Sequence, residues 1–356
     1  MKKNISLSIV IPAYNVSEYL EETVLSIYNQ KNIEDDINLE VIIVNDGSTD
    51  GTRYLLNQLQ KNYPKLIIIN QENQGLSAAR NNGVQSATSD YILFLDGDDL
   101  LTRNSLQHVF NVLKDTETDC LIVDYNWYWS KKDFHKNCTY SLDAKKLISG
   151  SYNIINAVYE SRQFYAWRHI FKRDIVIKHP FPVGQNYEDV STVPLLAYEC
   201  KNVYYYPLAV INYRQRDGSI MKVKNYKNIR DFSSSLARNT EFFKNSLSLD
   251  DLEKIKVSHS LTAAYIFTWV CGDTLSNKEL DTARLYDEFI GNFNSSNLIP
   301  MDRLKLEMKK IDPKNWRKFH MFYNYEKAFH LAHSMKYKFN RIYCWLNKIR
   351  QFIYKT

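Results

Sequence analysis

Three carboxylates stand within four positions at Asp96-Gly97-Asp98-Asp99, directly after the apolar run Tyr91-Ile92-Leu93-Phe94-Leu95. Clustered carboxylate oxygens suit a hard divalent cation such as Mg²⁺ or Mn²⁺. Gly97 has no side chain, so phosphate oxygens can approach the backbone there. Taken alone, such a turn is more often a solvated cap of the next helix. Its company changes the balance. Tyr14 can stack on a planar base, and Pro12 shapes the turn that carries it. Asp46 can accept a hydrogen bond from an imide N–H such as that of uracil, and Arg80 can reach a phosphate or a base edge. Each residue has an ordinary alternative: a helix cap for Asp46, a surface ion pair for Arg80, core packing for Tyr14. All of them at one rim of one sheet is a different matter.

The elements that must position them are legible from apolar runs. Ser6 to Ile11 forms a first strand, stopped by Pro12, and Ser17 with Glu21 and Glu22 opens a helix to about Gln30. Leu39 to Val44 is a second strand, ending in Asn45-Asp46-Gly47-Ser48-Thr49-Asp50-Gly51-Thr52, with Asp50 placed to cap the next helix. Leu66 to Asn70 is a third strand. Gln74-Gly75-Leu76-Ser77-Ala78-Ala79-Arg80-Asn81 is a loop entering a helix, and Tyr91 to Leu95 is a fourth strand, apolar enough to be buried on both faces. This alternation predicts a doubly wound parallel sheet. In such sheets ligands sit beyond the carboxyl ends of the strands, where the acidic turn lies. No GxGxxG follows the first strand and no phosphate-binding Walker loop is present, so a dinucleotide fingerprint is excluded.

Four blocks now stand in order: Ile-Val-Ile-Pro-Ala-Tyr-Asn, Val-Ile-Ile-Val-Asn-Asp-Gly-Ser-Thr-Asp-Gly-Thr, Asn-Gln-Gly-Leu-Ser-Ala-Ala-Arg-Asn and Phe-Leu-Asp-Gly-Asp-Asp. Together they resemble the signature blocks of family 2 inverting glycosyltransferases. The resemblance is specific over about residues 5–100, weaker to about residue 220, and absent beyond. It implies a GT-A fold, a Rossmann-like, doubly wound, mostly parallel α/β sheet, here with a C-terminal helical domain. It implies a nucleotide-sugar donor, usually a UDP-sugar, and a metal motif at Asp96 and Asp98 holding Mn²⁺ or Mg²⁺. Asp98 is then the direct metal ligand and Asp99 faces sugar hydroxyls.

Further positions follow from the same resemblance. Tyr165-Ala166-Trp167-Arg168-His169 resembles the family's acceptor-side segment, which commonly has Trp-Asn-Lys; Arg168 and His169 depart from it. Trp167 lines the sugar site or packs in the core. Glu188-Asp189 matches the pair that supplies the general base, usually at the position of Asp189. An acceptor hydroxyl is a poor nucleophile until a carboxylate takes its proton. Tyr213-Arg214-Gln215-Arg216-Asp217-Gly218-Ser219 resembles a loop that closes over the diphosphate, with Arg214, Arg216 and Ser219 as phosphate ligands. Relatives often carry His near Asp217.

Composition sets outer bounds. At 356 residues the chain is long enough for two domains. Expected boundaries are 1–224 for the catalytic domain, 225–334 for a helical domain and 335–356 for a basic tail. A mean hydropathy of −0.43 fits a soluble globular protein. Five dispersed cysteines without a CxxC pair argue against a disulfide framework and a zinc site, and imply a reducing, cytoplasmic setting. The longest apolar run, near Ala263 to Cys271, is too short to span a bilayer. In the tail, Met335, Phe339, Ile342, Leu346, Ile349 and Ile353 share one helical face beside Lys336, Lys338, Arg341, Lys348, Arg350 and Lys355. Such a helix either lies on an anionic membrane surface or packs on its own domain.

The expected function is therefore a metal-dependent inverting glycosyltransferase acting on a bacterial surface glycan, such as capsule, lipopolysaccharide or teichoic-type polymer, or on a lipid-linked oligosaccharide. Peripheral membrane contact and homo-oligomerisation are compatible with the helical region. The alternatives are a polyprenyl-phosphate glycosyltransferase and a catalytically silent sugar-nucleotide-binding scaffold. Nucleic-acid binding is disfavoured, because no basic stripe with stacking aromatics appears outside the tail.

Overall fold

A computed structural model describes residues 5–30, 38–130, 133–137, 140–215, 225–276 and 282–324. The chain divides into two compact units, residues 1–217 and 218–356. The first unit opens with β1 (Ser6–Ala13), α1 (Leu20–Tyr28), β2 (Asn38–Asp46), α2 (Thr52–Asn62), β3 (Ile67–Gln71), α3 (Leu76–Ser86) and β4 (Tyr91–Phe94). It continues with β5 (Leu100–Leu101), α4 (Ser105–Thr116), β6 (Cys120–Ser130), β7 (Asp133–Asn137), β8 (Leu147–Ser149) and α5 (Ser151–Ser161). A 3₁₀ turn (Ala166–Arg168), β9 (His169–Lys172), α6 (Arg173–Lys178), α7 (Glu188–Glu199) and β10 (Asn202–Arg214) complete it.

The strands form one sheet in the order β3-β2-β1-β4-β9-β6-β10-β5, with β7 on β6 and β8 on β10. Strands β3, β2, β1 and β4 are parallel, as the alternating pattern predicts. Every residue of β4 is buried, as its unbroken apolar run requires of a central strand. With this strand order, the rule that parallel crossovers are right-handed puts α1 and α2 on one face and α3, which returns past β1, on the other.

Two local features differ from the sequence expectation. Pro12 does not stop β1: the strand runs on to Ala13, paired with β2 through Pro12↔Val44 and Ala13↔Asn45. Pairing with β4 ends earlier, at Val10↔Phe94, so the proline has no ladder bond to break on that side. Strand β9 is inserted antiparallel between β4 and β6, so the sheet is mixed at its centre. The polar segment after β6 turns back as a hairpin partner, β7.

Helix α3 lies close on the sheet. A Cβ built on Gly83 would sit 2.3 Å from Val10 Cγ1. Alanine at position 83 would improve helix propensity by about 1 kcal/mol, but overpacking here costs about 1–3 kcal/mol. The collision is with the fully buried Val10 on a central strand, which has little room to move. The Gly83→Ala variant is therefore expected to melt below the parent in a thermal denaturation; an unchanged or higher midpoint would show that the interface yields.

The second unit comprises α8 (Tyr226–Ser234), α9 (Ala237–Ser246), α10 (Leu249–Ser276), α11 (Thr282–Ser296), α12 (Met301–Ile311) and α13 (Pro313–Asn324). Helices α8 and α9 are separated by a break at Ser235 and Leu236. Phe267, Phe293 and Phe319 meet at ring separations of 5.1–5.6 Å in its core. The apolar run near Ala263 to Cys271 contributes Ala263, Ala264, Ile266, Phe267, Val270 and Cys271 to that core. None of the described helices is long and apolar enough to cross a membrane. The basic tail expected at 335–356 lies outside the described residues.

Candidate active site

The carboxyl ends of β1, β2 and β4 meet at one rim, and a net of hydrogen bonds ties their loops together. Asn15, with φ of 52°, accepts from Thr49 N at 2.8 Å and donates its own N–H to Ser48 Oγ at 3.0 Å. Asp50 does cap backbone donors, but on two helices' approaches: Oδ1 takes Thr52 N at 2.9 Å and Oδ2 takes Ser17 N at 3.1 Å. Against the upward pull of what burial it has, those bonds from Thr52 and Ser17 hold its carboxyl down at about 2. Tyr14 rides on this braced turn with 48% of its surface exposed. Pro12 is buried beneath it.

Asp46 is buried, and its oxygens already hold the loop that opens α3. Oδ1 accepts from Gln71 Nε2 at 2.7 Å and Gln74 N at 2.8 Å, and Oδ2 from Gly75 N at 2.8 Å. Three of about four lone-pair sites are thus taken.

In the acidic turn, the tight neighbour of Gly97 is protein. A Cβ there would lie 3.0 Å from Pro12 O and 3.2 Å from Val16 Cγ2, and Thr23 Oγ1 donates to Gly97 O at 3.0 Å. The glycine is needed so that the turn can nest against the one after β1. Asp96 and Asp98 remain partly exposed, whereas Asp99 is 1% exposed. Asp99 was expected to face sugar hydroxyls; instead its Oδ1 accepts from Arg214 N at 2.7 Å, and its Oδ2 has no hydrogen-bond partner among the described residues. Burial, with Asp98 and Asp96 adding repulsion, pushes its carboxyl well above the usual range. Arg214, expected on phosphate, is engaged behind the turn. Its Nε donates to Asp98 O at 2.7 Å and its Nη2 to Glu22 Oε2 at 2.6 Å, with the guanidinium 5.2 Å from the ring centres of Tyr19 and Tyr128. Arg216 and Ser219 lie outside the described residues.

Arg80 is the hinge of the site. It is 3% exposed on the inner face of α3, between Phe94 and Phe181, at 5.7 and 5.5 Å from their ring centres. Its Nη2 donates to Asp96 Oδ1 at 3.0 Å and its Nη1 to Glu188 Oε1. The side chain expected to reach a phosphate or base edge thus spans two carboxylates, one from the acidic turn and one 108 positions away. Glu188 is 6% exposed. Its neighbour Asp189 opens α7, with Oδ1 taking Val190 N at 2.9 Å. Burial first, then repulsion from Glu188, outweigh the pull of Arg80 and raise the Asp189 carboxyl to about 8. A carboxyl poised near neutrality is what a general base or acid needs.

The residues present fit a divalent cation of the kind that keeps waters and binds through few protein ligands. Among the described residues no preformed group of three His, Cys, Asp or Glu side chains is found. Mg²⁺ and its like commonly take one or two carboxylates plus substrate phosphates, and Asp96 and Asp98 are the two that stay accessible.

Trp167, expected at the sugar or in the core, is 4% exposed. It stacks on Tyr165 at 4.8 Å and on Tyr213 at 5.4 Å, and meets Tyr125 edge-on at 4.8 Å. Sequence reasoning missed what fixes it. Arg168 is fully buried, donating from Nε to Val123 O at 2.8 Å and from Nη2 to Asp124 Oδ1 at 2.9 Å. His169 shares its ring nitrogens with Tyr165 O and Tyr140 OH. The available signal was an Asp inside an apolar strand run, Leu121-Ile122-Val123-Asp124-Tyr125, which needs a buried partner.

Comparison with known proteins places this geometry. The model of the family "Glycosyl transferase family 2" matches residues 8–172. Glycosyltransferase GlyA of Streptococcus pneumoniae is 25% identical over 61% of this chain and 32% of its own length. The minor teichoic acid biosynthesis protein GgaA of Bacillus subtilis is 37% identical over 35% of this chain and 29% of its own. The chain thus spans about a third of the length of either relative. Residues 1–349 of TarS from S. aureus, solved with UDP-GlcNAc, superpose with a TM-score of 0.65 over 91% of this chain and 92% of that one, at 17% identity. The segment from β1 to the end of β9 thus matches the glycosyl transferase family 2 model, and the chain shares the GT-A fold with that structure.

Proposed function

We propose that the chain is an inverting, metal-dependent glycosyltransferase that moves a sugar from a nucleotide donor, a UDP-sugar, to a hydroxyl of a bacterial surface glycan of teichoic type or a lipid-linked oligosaccharide. The observation that carries this reading is the Arg80 bridge between Asp96 and Glu188. It holds the acidic turn and the Glu188-Asp189 pair in one cluster, as a reaction between a diphosphate and an activated hydroxyl requires. Tyr14 stacks on the base, and Asp46 holds the Gln74–Gly75 loop beside it and offers its remaining lone pair. Asp189 takes the proton of the acceptor hydroxyl, which then attacks the anomeric carbon from the face opposite the leaving nucleotide. That opposed-face attack inverts the centre, by the logic that governs inverting glycosidases. Arg80 holds Glu188 in place beside Asp189. A divalent ion held by Asp96 and Asp98, when bound, neutralises charge on the departing diphosphate. The similarity to a minor teichoic acid biosynthesis protein supports the acceptor class.

The test is the melting midpoint with UDP, with Mn²⁺, and with both. A ligand that prefers the folded state stabilises it by about 2.7 kcal/mol at a hundredfold excess over its dissociation constant. The expected result is a rise with UDP that grows when Mn²⁺ is added, and that Asp98→Asn removes for the Mn²⁺-dependent part. No rise with UDP and Mn²⁺ together would overturn the donor assignment.

A further inference from the structure

Strand β6 runs past the rim of the sheet and carries an aromatic row that the donor chemistry leaves unused. Trp127 and Trp129 stack at 6.4 Å with 23° between their planes. Trp127 meets Tyr213 of β10 at 5.6 Å, its register partner across the ladder. Tyr213 in turn stacks on Trp167 with 28° between planes. Exposure grows along the row, from the buried Trp167 through the half-buried Tyr213 and Trp127 to Trp129 at 48%.

The row's place on the sheet follows from strand alternation. Arg214 turns its side chain toward Glu22 of α1. Successive strand residues point to opposite faces, so Tyr213 faces the other way, to the side of α3. Helix α3 packs on α6, and α6 on α7. Glu188 and Asp189 open α7. The aromatic row therefore shares both the rim and the face of the sheet with Asp189, while Tyr14 and Asp46 mark the half of the rim given to the nucleotide. The row is also stiff from behind. Tyr125, 1% exposed, packs its edge on Trp167, and the buried Arg168 pins the turn before β9 to Val123 and Asp124. A rigid, half-exposed π-surface on a fixed support is suited to a flat apolar partner with little entropy to lose.

We infer that Trp127, Trp129 and Tyr213 form a platform that binds a pyranose ring of the acceptor glycan through its C–H face. A pyranose presents several C–H bonds, weakly positive, on one face and its hydroxyls around the edge. Aromatic faces are weakly negative, so the two stack and leave the edge hydroxyls free to be deprotonated. The assignment rests on the transferase reading above and adds the substrate's shape: a ring sugar, in place of an acyclic alditol phosphate, adjoins the reacting hydroxyl.

Saturation-transfer NMR on the full chain, with methyl pyranosides of the gluco, galacto, manno and 2-acetamido-gluco series as probes, tests it. The expected result is saturation of C–H protons on one face of at least one pyranoside. That signal is lost in Trp129→Ala and Trp127→Ala and kept in Trp129→Tyr, which preserves a ring. Trp129 is exposed enough for truncation to leave the fold intact, and melting curves of each variant check this. Absence of signal from all four probes, or a signal that the alanine variants leave unchanged, overturns the platform. The UDP and Mn²⁺ midpoint of the parent separates the two ideas: a rise without pyranoside binding sinks the platform alone, and pyranoside binding without a rise keeps the platform and sinks the donor reading.

Discussion

Transfer by an Asp189→Asn variant is expected to fall by about 10²-fold or more, the usual contribution of a positioned base, with the melting midpoint rise in UDP and Mn²⁺ retained. Asparagine keeps the side-chain shape and can still accept from Val190 N, but it takes no proton. The pH behaviour sharpens this. With its carboxyl raised to about 8, chiefly by burial and then by Glu188, Asp189 in the free enzyme is largely protonated below that pH. The base form is the active one, so kcat/KM of the parent should climb with pH and level off above about 8. Stability runs the opposite way. A carboxyl raised in the folded state favours folding below its ordinary value of 3.8 and loses that contribution as pH rises toward 8. Asparagine has nothing to lose across this window. The variant should therefore gain on the parent in melting midpoint between pH 4 and pH 8, as its activity disappears. A flat kcat/KM profile, or equal transfer rates for variant and parent, would remove Asp189 from the role of base.

How far this site could be foreseen depends on the range of each interaction. The four parallel strands were legible because a strand covered on both faces must be apolar throughout, and Tyr91 to Leu95 has no polar interruption. The family resemblance was legible for the same local reason, since each signature block joins a strand end to the loop beyond it. Interactions across long separations were not. Nothing within ten residues of Arg80 says that its guanidinium ends between Asp96 and Glu188. Arg214 looks like a phosphate ligand until the fold brings Glu22 within 2.6 Å. Strand β9 escaped notice because it is short, begins with His169 and ends with Lys172, and follows a turn rich in large side chains. Its edge-to-edge fit between β4 and β6 is a tertiary choice. Asp99 is the sharpest case. Its neighbours in sequence make it one more site carboxylate, while its 1% exposure makes it a buried acid that accepts from the Arg214 backbone.

Removing the Arg80 charge should have the largest effect on stability of any single change in this site. Arg80→Met keeps a long side chain between Phe94 and Phe181, so lost packing is small. It leaves Glu188, 6% exposed, without its cation, beside Asp189 and near Asp96. Breaking a buried pair by deleting one partner costs about 3–5 kcal/mol, because the remaining charge stays buried. Arg80→Lys should fall between parent and Met: the charge remains, but a single ammonium cannot reproduce a planar fork that bonds Asp96 and Glu188 from separate nitrogens. Two controls identify the cause as charge. The gap between parent and Arg80→Met should narrow as pH falls below the ordinary carboxylate range, where the orphaned acids take up protons and no longer need a cation. Adding Glu188→Gln to Arg80→Met should restore part of the loss, since an amide is far cheaper to bury unpaired than a carboxylate. A denaturant series with equal parent-to-variant gaps at acid and neutral pH would show that Arg80 matters for its packing, and the bridge would then be no link between the acidic turn and α7.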